Sequence, residues 1–363
     1  MIYLDYQATT PLAPEAREAM LPWLAGPDWN GGPGGFANPH SPHRAGRAAA
    51  AAVEVARDQV ASLMPVGGRV IFTSGATEAL NFAILGRKTR QIAVSNIEHA
   101  AVLDTVKGSG ATVQPLAVGP DGVLDPAIRI APGTDMVAVM QVNNEIGTIQ
   151  PVDALAHAAH AAGALFLCDA VQGFGRIAAP AEADMIAVSA HKIHGPKGIG
   201  ALWLRDGIEL SPVMFGGGQE GGLRSGTLSP ALCAGFGAVA ALASERMEQD
   251  SAHVALLWAK ARANTVLWQL NGSADARWLG NLNLRRDGLD VARLMSDCRT
   301  VAFSAGSACA SGSGRPSHVL AALGLDPAAI KSSVRLGFGR YTTLREIEDA
   351  CVLLNAAAAA QGV

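Results

Sequence analysis

Seven short apolar runs, separated by helical patterns, constrain the fold more than any other feature of this chain. They lie at 70–74 (VIFTS), 92–96 (IAVSN), 112–118 (TVQPLAV), 136–142 (MVAVMQV), 164–169 (ALFLCD), 185–189 (MIAVS) and 200–204 (GALWL). Helical patterns fit between most of them, at 44–63, 77–86, 98–108 and 152–162. Strands that are apolar at successive positions must be covered on both faces. Together with the alternation, this predicts an α/β fold with a mostly parallel sheet. A glycine-rich stretch, FGGGQEGGLRSGTLSP at 215–230, cannot hold a helix. Long apolar helices follow at about 230–270. The pattern then changes to strand 281–284, helix 289–297, strand 300–304, helix 316–323, strand 333–338 and helix 343–360. That is a second, smaller α+β unit. The boundary is expected near 245, giving a large domain over 13–245 and a small C-terminal domain over 246–363.

Composition narrows the class. Of 363 residues, 49% are hydrophobic and 16% charged, and the net charge is −3 with no basic block. Such a chain is not expected to work on nucleic acid or an anionic membrane. No apolar run is long enough to span a bilayer, and MIYLDYQATTPL lacks the form of a signal peptide, so a cytoplasmic enzyme is expected. The five cysteines are Cys168, Cys233, Cys298, Cys309 and Cys351. An odd count without a C-x-x-C predicts neither a disulfide framework nor an intrinsic metal site. Cys309 stands apart, because FSAGSACASGSG at 303–314 has the composition of a loop. A cysteine there is better placed for reaction than for packing.

Three strand ends carry candidate chemistry. VIFTSGATEAL reads as strand, glycine turn and helix start, where the Ala76 and Thr77 amides and the Thr77 hydroxyl could grip a phosphate. Taken alone, that stretch reads better as an ordinary capped helix start. LFLCDAVQGFGR ends a strand at Asp169, with Gln172 three residues on. A carboxylate at a strand end can pair with a cationic ring nitrogen, and an N-cap role fits equally. AVSAHKIHGPKGIGAL packs Ser189, His191 and Lys192 at another strand end. A lysine beside cationic groups can form a Schiff base, while Ser189 and His191 could hold a phosphate. A solvated basic loop explains this set poorly. The order is phosphate cup, strand-end aspartate, then Ser-x-His-Lys with its lysine 23 residues after the aspartate. Pyridoxal 5'-phosphate needs these groups.

At this point the chain resembles the cysteine desulfurases of the class-V aminotransferase family, which are fold-type-I pyridoxal phosphate enzymes. The resemblance runs from YLDYQATTPL to SVRLGFGRYTT. It takes in NPHSPHRAGR, TSGATEALNFAI, EHAAVLDT, VNNEIGTIQP, CDAVQGFGR, SAHKIHGPKGIGALW, GGGQEGGLRSGT and SAGSACASG. It implies that residues 1–12 pack with the small domain and that Lys192 carries the cofactor. Asp169 would pair with the pyridinium nitrogen and Gln172 with the phenolic oxygen, with Asn144 beside it. Ala76, Thr77, Ser189 and His191 would hold the phosphate, and Thr227 would reach the neighbouring subunit's phosphate in a homodimer. His99 would stack on the ring and move protons. Arg335 would receive the substrate carboxylate, helped by Asn38 and Asn144. Arg224 would order the glycine-rich loop.

Cys309 matches the family's persulfide-forming cysteine. It would take sulfur from L-cysteine, leave L-alanine, and pass the sulfur to an acceptor or scaffold protein for iron–sulfur or other sulfur-cofactor assembly. It could also transiently ligate an iron–sulfur cluster. A selenocysteine lyase or a class-V aminotransferase is the alternative within the family, and a catalytically dead scaffold the alternative outside enzymes. Two departures stand out. Gln7 occupies a position where many relatives carry a small residue, and only 28 residues follow Arg335, where iron–sulfur-assembly relatives carry a longer tail.

Overall fold

The computed structural model describes residues 1–24, 26, 35–306 and 316–363. Chain order runs β1 (Ile2–Tyr3), α1 (Pro14–Met20), α2 (Arg44–Ala61), β2 (Gly68–Thr73), α3 (Ala76–Arg87), β3 (Gln91–Ser95), α4 (Ala100–Ser109) and β4 (Thr112–Leu116). Then come β5 (Met136–Met140), α5 (Val152–Ala161), β6 (Leu165–Asp169), β7 (Met185–Ser189), β8 (Gly200–Arg205), α6 (Pro230–Ala263), β9 (Gln269–Leu270) and β10 (Asn281–Arg285). The last elements are α7 (Val291–Asp297), β11 (Val301–Ala302), β12 (Ser304–Ala305), α8 (His318–Ala322), α9 (Pro327–Lys331), β13 (Ser333–Gly337) and α10 (Leu344–Ala359).

Seven strands form the main sheet in the order β2-β8-β7-β6-β5-β3-β4. All neighbours pair parallel except β8, which is antiparallel to both β2 and β7. Alternation explains the continuous apolar runs. On β6, Phe166 and Cys168 enter the core under α2, α5 and α6, while Leu167 enters the core under α3 and α4. On β7, Ile186 and Val188 face the first core, and Met185 and Ala187 the second. Both strands are thus buried on both faces, as the interior of a parallel sheet requires. One consequence matters for function. The carboxyl ends of β2, β3, β5, β6 and β7 all emerge at the same edge.

A four-stranded antiparallel sheet, β12-β13-β10-β9, forms a second layer with α7 and α10, and β1 pairs parallel with β11. Helix α6 joins the layers. Its Cys233, Phe236 and Val239 belong to the first core and its Val254 and Leu257 to that of the second layer. It is one helix of 34 residues, where the sequence suggests several.

Three other differences have local causes. The run at 112–118 shortens to β4, an edge strand containing Pro115, which cannot donate to a ladder. The run at 300–304 breaks into β11 and β12, which pair with different partners. Helix α9 is too short to show a period, yet it carries a start signal: Asp326 accepts from the Ala329 amide at 2.8 Å, with Pro327 next. Among the described residues no helix is long and apolar enough to cross a membrane.

The glycine-rich stretch is pinned rather than loose. Glu220, its side chain 3% exposed, accepts from Arg57 Nη1 at 2.7 Å and from the Phe72 amide at 2.8 Å. The Arg57 guanidinium lies over the Phe72 ring, 4.8 Å from its centroid. Arg57 also pairs with Glu54 at 3.0 Å, so losing the Glu220 charge costs the charged hydrogen bonds of Glu220 itself and does not strand the arginine. Glu220→Gln keeps the shape and removes the charge, so it is expected to lower stability by about 2 kcal/mol in urea unfolding. A loss below about 1 kcal/mol would show that the pair does not anchor this stretch.

Candidate functional site

A cavity of about 660 Å³ opens at the edge where the strand ends converge. Its wall includes Ala76, Thr77, His99, Asn144, Asp169, Gln172, Ser189, His191, Lys192 and Arg335. Residues from across the chain and from both sheets therefore face one space.

Asp169 ends β6 and is 6% exposed. Its Oδ1 accepts from the Val171 amide at 3.0 Å. Burial pushes this carboxyl up, against the opposing pull of His99, the Val171 amide and Lys192. Such a carboxyl is stabilised as an anion by any cation placed beside it.

Helix α3 starts at the cavity without a side-chain cap. Its first amides have no partner within the helix and carry the positive end of its dipole. Strand β8 approaches closely here, since a Cβ on Gly200 would stand 2.7 Å from the Gly75 carbonyl carbon. The Glu78 carboxylate in the first turn is already engaged. It accepts from the Ser74 amide at 2.7 Å and pairs with Arg224 at 2.7 Å. Arg224 thus ties the glycine-rich stretch to the start of α3. Ser189 closes the other side of this corner, buried at the end of β7. His191 Nδ1 stands 3.1 Å from Thr9 Oγ1. Burial, then Lys192, Lys197 and Arg176, push its ring down to about 4, so it is neutral at pH 7.

Lys192 lies in the short 3-10 turn after β7. Its Nζ donates to the carbonyls of Gln7 and Ala8. Gln172 Nε2 donates to the same Gln7 carbonyl at 3.1 Å, and Arg176 bridges Gln172 Oε1 to the Lys192 carbonyl. His99 caps α4, its Nδ1 accepting from the Ala101 amide at 3.0 Å. That places the proton of the neutral ring on Nε2. Arg335, 1% exposed at the centre of β13, donates to the Asn144 carbonyl at 3.0 Å and pairs with Asp5 at 2.7 Å.

Two expected residues stand elsewhere. Asn38 is exposed and outside the cavity wall; its Oδ1 accepts from the His40 amide at 2.9 Å. Thr227 is likewise exposed and outside the wall. Cys309 lies outside the described residues. Sequence reasoning missed the segment Gln7–Thr9, which lines the cavity and holds Lys192, as well as Arg176 and Asp5. YLDYQATTPL carries no strand or helix period, so only the company it keeps in the fold reveals its place.

The aminotransferase class-V profile matches residues 2–349. The chain belongs to the class-V aminotransferase family. Its curated relatives place it among the cysteine desulfurases. The protein named cysteine desulfurase IscS from Rickettsia bellii is 40% identical, covering 97% of this chain and 90% of the relative. Among solved structures, a NifS-like protein from Rickettsia africae superposes with a TM-score of 0.87 at 25% identity, over 98% of this chain and 99% of its own. A protein titled SspA in complex with cysteine superposes with a TM-score of 0.80 at 33% identity, over 94% and 100%. The class-V family and its cysteine desulfurases are pyridoxal phosphate enzymes.

The neutral His191 gives this family member a pH signature. Its folded value, about 4, lies below its ordinary 6.5. The unfolded chain therefore binds the extra proton first, and stability falls as pH drops from 6.5 toward 4. His194 behaves alike; burial pushes its ring down to about 4 as well. Melting temperature should hold above pH 6.5 and decline through that window. His191→Gln should shrink the decline, and an unchanged profile in that variant would show that His191 does not contribute to it.

Proposed function

We propose that this chain converts L-cysteine to L-alanine, using pyridoxal 5'-phosphate held in the cavity and a persulfide on Cys309. The single observation that carries the reading is the convergence of Asp169, Lys192, the uncapped start of α3 and Arg335 on one cavity. The residues fit the cofactor. A phosphate suits the Ala76 and Thr77 amides, the hydroxyls of Thr77 and Ser189, and the neutral His191. A protonated ring nitrogen suits Asp169, whose buried carboxyl is stabilised as an anion by a cation. Gln172 and Asn144 flank the ring position, and Lys192 would hold the cofactor's aldehyde carbon. When bound, pyridoxal phosphate supplies an electron-withdrawing ring that acidifies the substrate Cα–H.

The remaining steps belong to this chain's own residues. Arg335 binds the substrate carboxylate. Lys192 Nζ, released from the Gln7 and Ala8 carbonyls, takes the proton from Cα. His99, protonated on Nε2 in its neutral form, manages the proton of the substrate thiol. The Cys309 thiolate attacks the substrate sulfur. A sulfur–sulfur bond forms as the Cβ–S bond breaks, and the electron pair of the broken bond stays with the substrate carbon. Protonation there yields alanine. The outer sulfur then passes to an acceptor or scaffold protein for iron–sulfur cluster or other sulfur-cofactor assembly.

The other four cysteines support Cys309 as the nucleophile. Cys168, Cys233, Cys298 and Cys351 are all buried, and burial pushes every one of their thiols up, Cys233 to about 12 and Cys351 to about 11. None of them is a ready thiolate. A cytoplasmic homodimer is part of the same reading, with Thr227 reaching the partner's phosphate site. The exposed Val213, Met214 and Phe215, at the start of the glycine-rich stretch that holds Thr227, support such an interface.

Mass spectrometry of the protein treated with L-cysteine should find one added sulfur on the peptide holding Cys309 and none on the other four cysteines. Cys309→Ser should lose alanine production while still withdrawing the Cα proton, seen as deuterium exchange from solvent. Lys192→Ala should lose both, keeping below about one per cent of turnover. Full alanine yield from Cys309→Ser would overturn the reading.

A further inference from the structure

Arg335 meets the cavity with a carboxylate already attached. Its Nη2 lies 2.7 Å from Asp5 Oδ1. The Ser304 hydroxyl donates to that same oxygen at 2.9 Å and accepts from Arg335 Nη2 at 3.3 Å. Asp5 is held in place by backbone. The Gly337 amide donates to the Leu4 carbonyl at 2.7 Å, and the Tyr6 amide to the Gly337 carbonyl at 3.3 Å, on either side of it. Arg335 Nε is buried without a hydrogen-bond partner among the described residues. The guanidinium is therefore charge-paired through one nitrogen and has donor capacity left. The other nearby carboxyl is Glu145, buried, accepting from Ser317 Oγ at 2.5 Å and pushed up by burial. Asp5, more exposed, is the carboxylate in direct contact with Arg335.

We propose that Asp5 is an internal counter-ion that sets the affinity of Arg335 for amino-acid carboxylates, weakening it so that substrate and product exchange. The proposal rests on the reading that Arg335 receives the substrate carboxylate. A cation this deeply buried is costly without a partner, and Asp5 supplies one while the cavity is empty. An arriving carboxylate is then the second anion on one guanidinium. Its attraction to Arg335 is partly cancelled by repulsion from Asp5. Without the Asp5 charge, the empty site would be less stable and the filled site relatively more so. The opposite role, in which Asp5 merely orients Arg335, predicts weaker binding on its removal.

Holoenzyme kinetics separate the two. Asp5→Asn keeps the size and an oxygen for Ser304 and Arg335 but removes the charge. Its KM for L-cysteine and its inhibition constant for L-alanine should both fall, by about three- to tenfold. Inhibition by ethylamine, an amine without a carboxylate, should stay as in the wild type. Asp5→Glu should return both constants toward wild type. An unchanged or raised KM in Asp5→Asn overturns the proposal, as does an equal change for ethylamine. Should Asp5→Asn fail to fold, Asp5→Ser, also uncharged, carries the same expectations. Arg335→Ala serves as the control. If it leaves KM unchanged, the carboxylate is bound elsewhere and both readings fall. If it raises KM while Asp5→Asn does not lower it, only the proposal about Asp5 falls.

Discussion

Asp169 ends a central strand with its carboxylate out of water, and burial alone pushes it toward the neutral form. A carboxyl can be kept charged in such a place only by groups that favour the anion. The Val171 amide, Lys192 and His99 begin that work, and each comes from the end of a parallel strand or the turn after it. The sheet makes this possible. Strands β2, β3, β5, β6 and β7 point their carboxyl ends to one edge, so short excursions of chain after each bring polar groups to a common point. The apolar bulk on both faces fixes those ends, since the apolar side chains along these strands alternate between one core and the other.

The N-terminal segment turns this strand-end cluster into a site. It begins as β1 against β11, passes Asp5 beside Arg335, and then offers the Gln7 and Ala8 carbonyls to Lys192. Thr10 continues the path, its amide and hydroxyl both donating to the His191 carbonyl, at 3.0 Å and 2.9 Å. One extended segment thus links the small antiparallel sheet, which supplies Arg335, to the main sheet, which supplies Lys192. The loop after β5 makes a second link. Arg335 and Asn281 both donate to the Asn144 carbonyl, and Asn283 donates to that of Glu145. These buried polar contacts fix Arg335 relative to the loop that follows β5.

The fold was largely legible. Continuous apolar runs flagged strands, and their ends match within a residue or two, the edge strand β4 with its Pro115 included. Asp169, Ser189 and Lys192 were legible as candidates because strand ends are where such sheets place chemistry. His99 was not legible in isolation, because a histidine at a helix start also reads as a surface residue; its place in the wall depends on where β3 sits in the sheet. A sheet-end arginine by itself reads as half of a surface ion pair, and for Arg335 only the family likeness outweighs that. Arg335 is in an ion pair, but a buried one, with a residue 330 positions away.

What the sequence by itself determined is local: where apolar periods make strands and helices, where glycines forbid a helix, and which residue types stand ready at strand ends. Those follow from interactions within a few residues, or from the family likeness of whole motifs. Only the tertiary structure decided which of those residues share a cavity. Gln7, Asp5 and Arg176 show why. Gln7 and Asp5 have no local pattern of their own, and all three act on partners brought near by sheet order and by a chain that crosses between layers. Contacts of that range depend on every intervening element being in place, and no stretch of sequence encodes them alone.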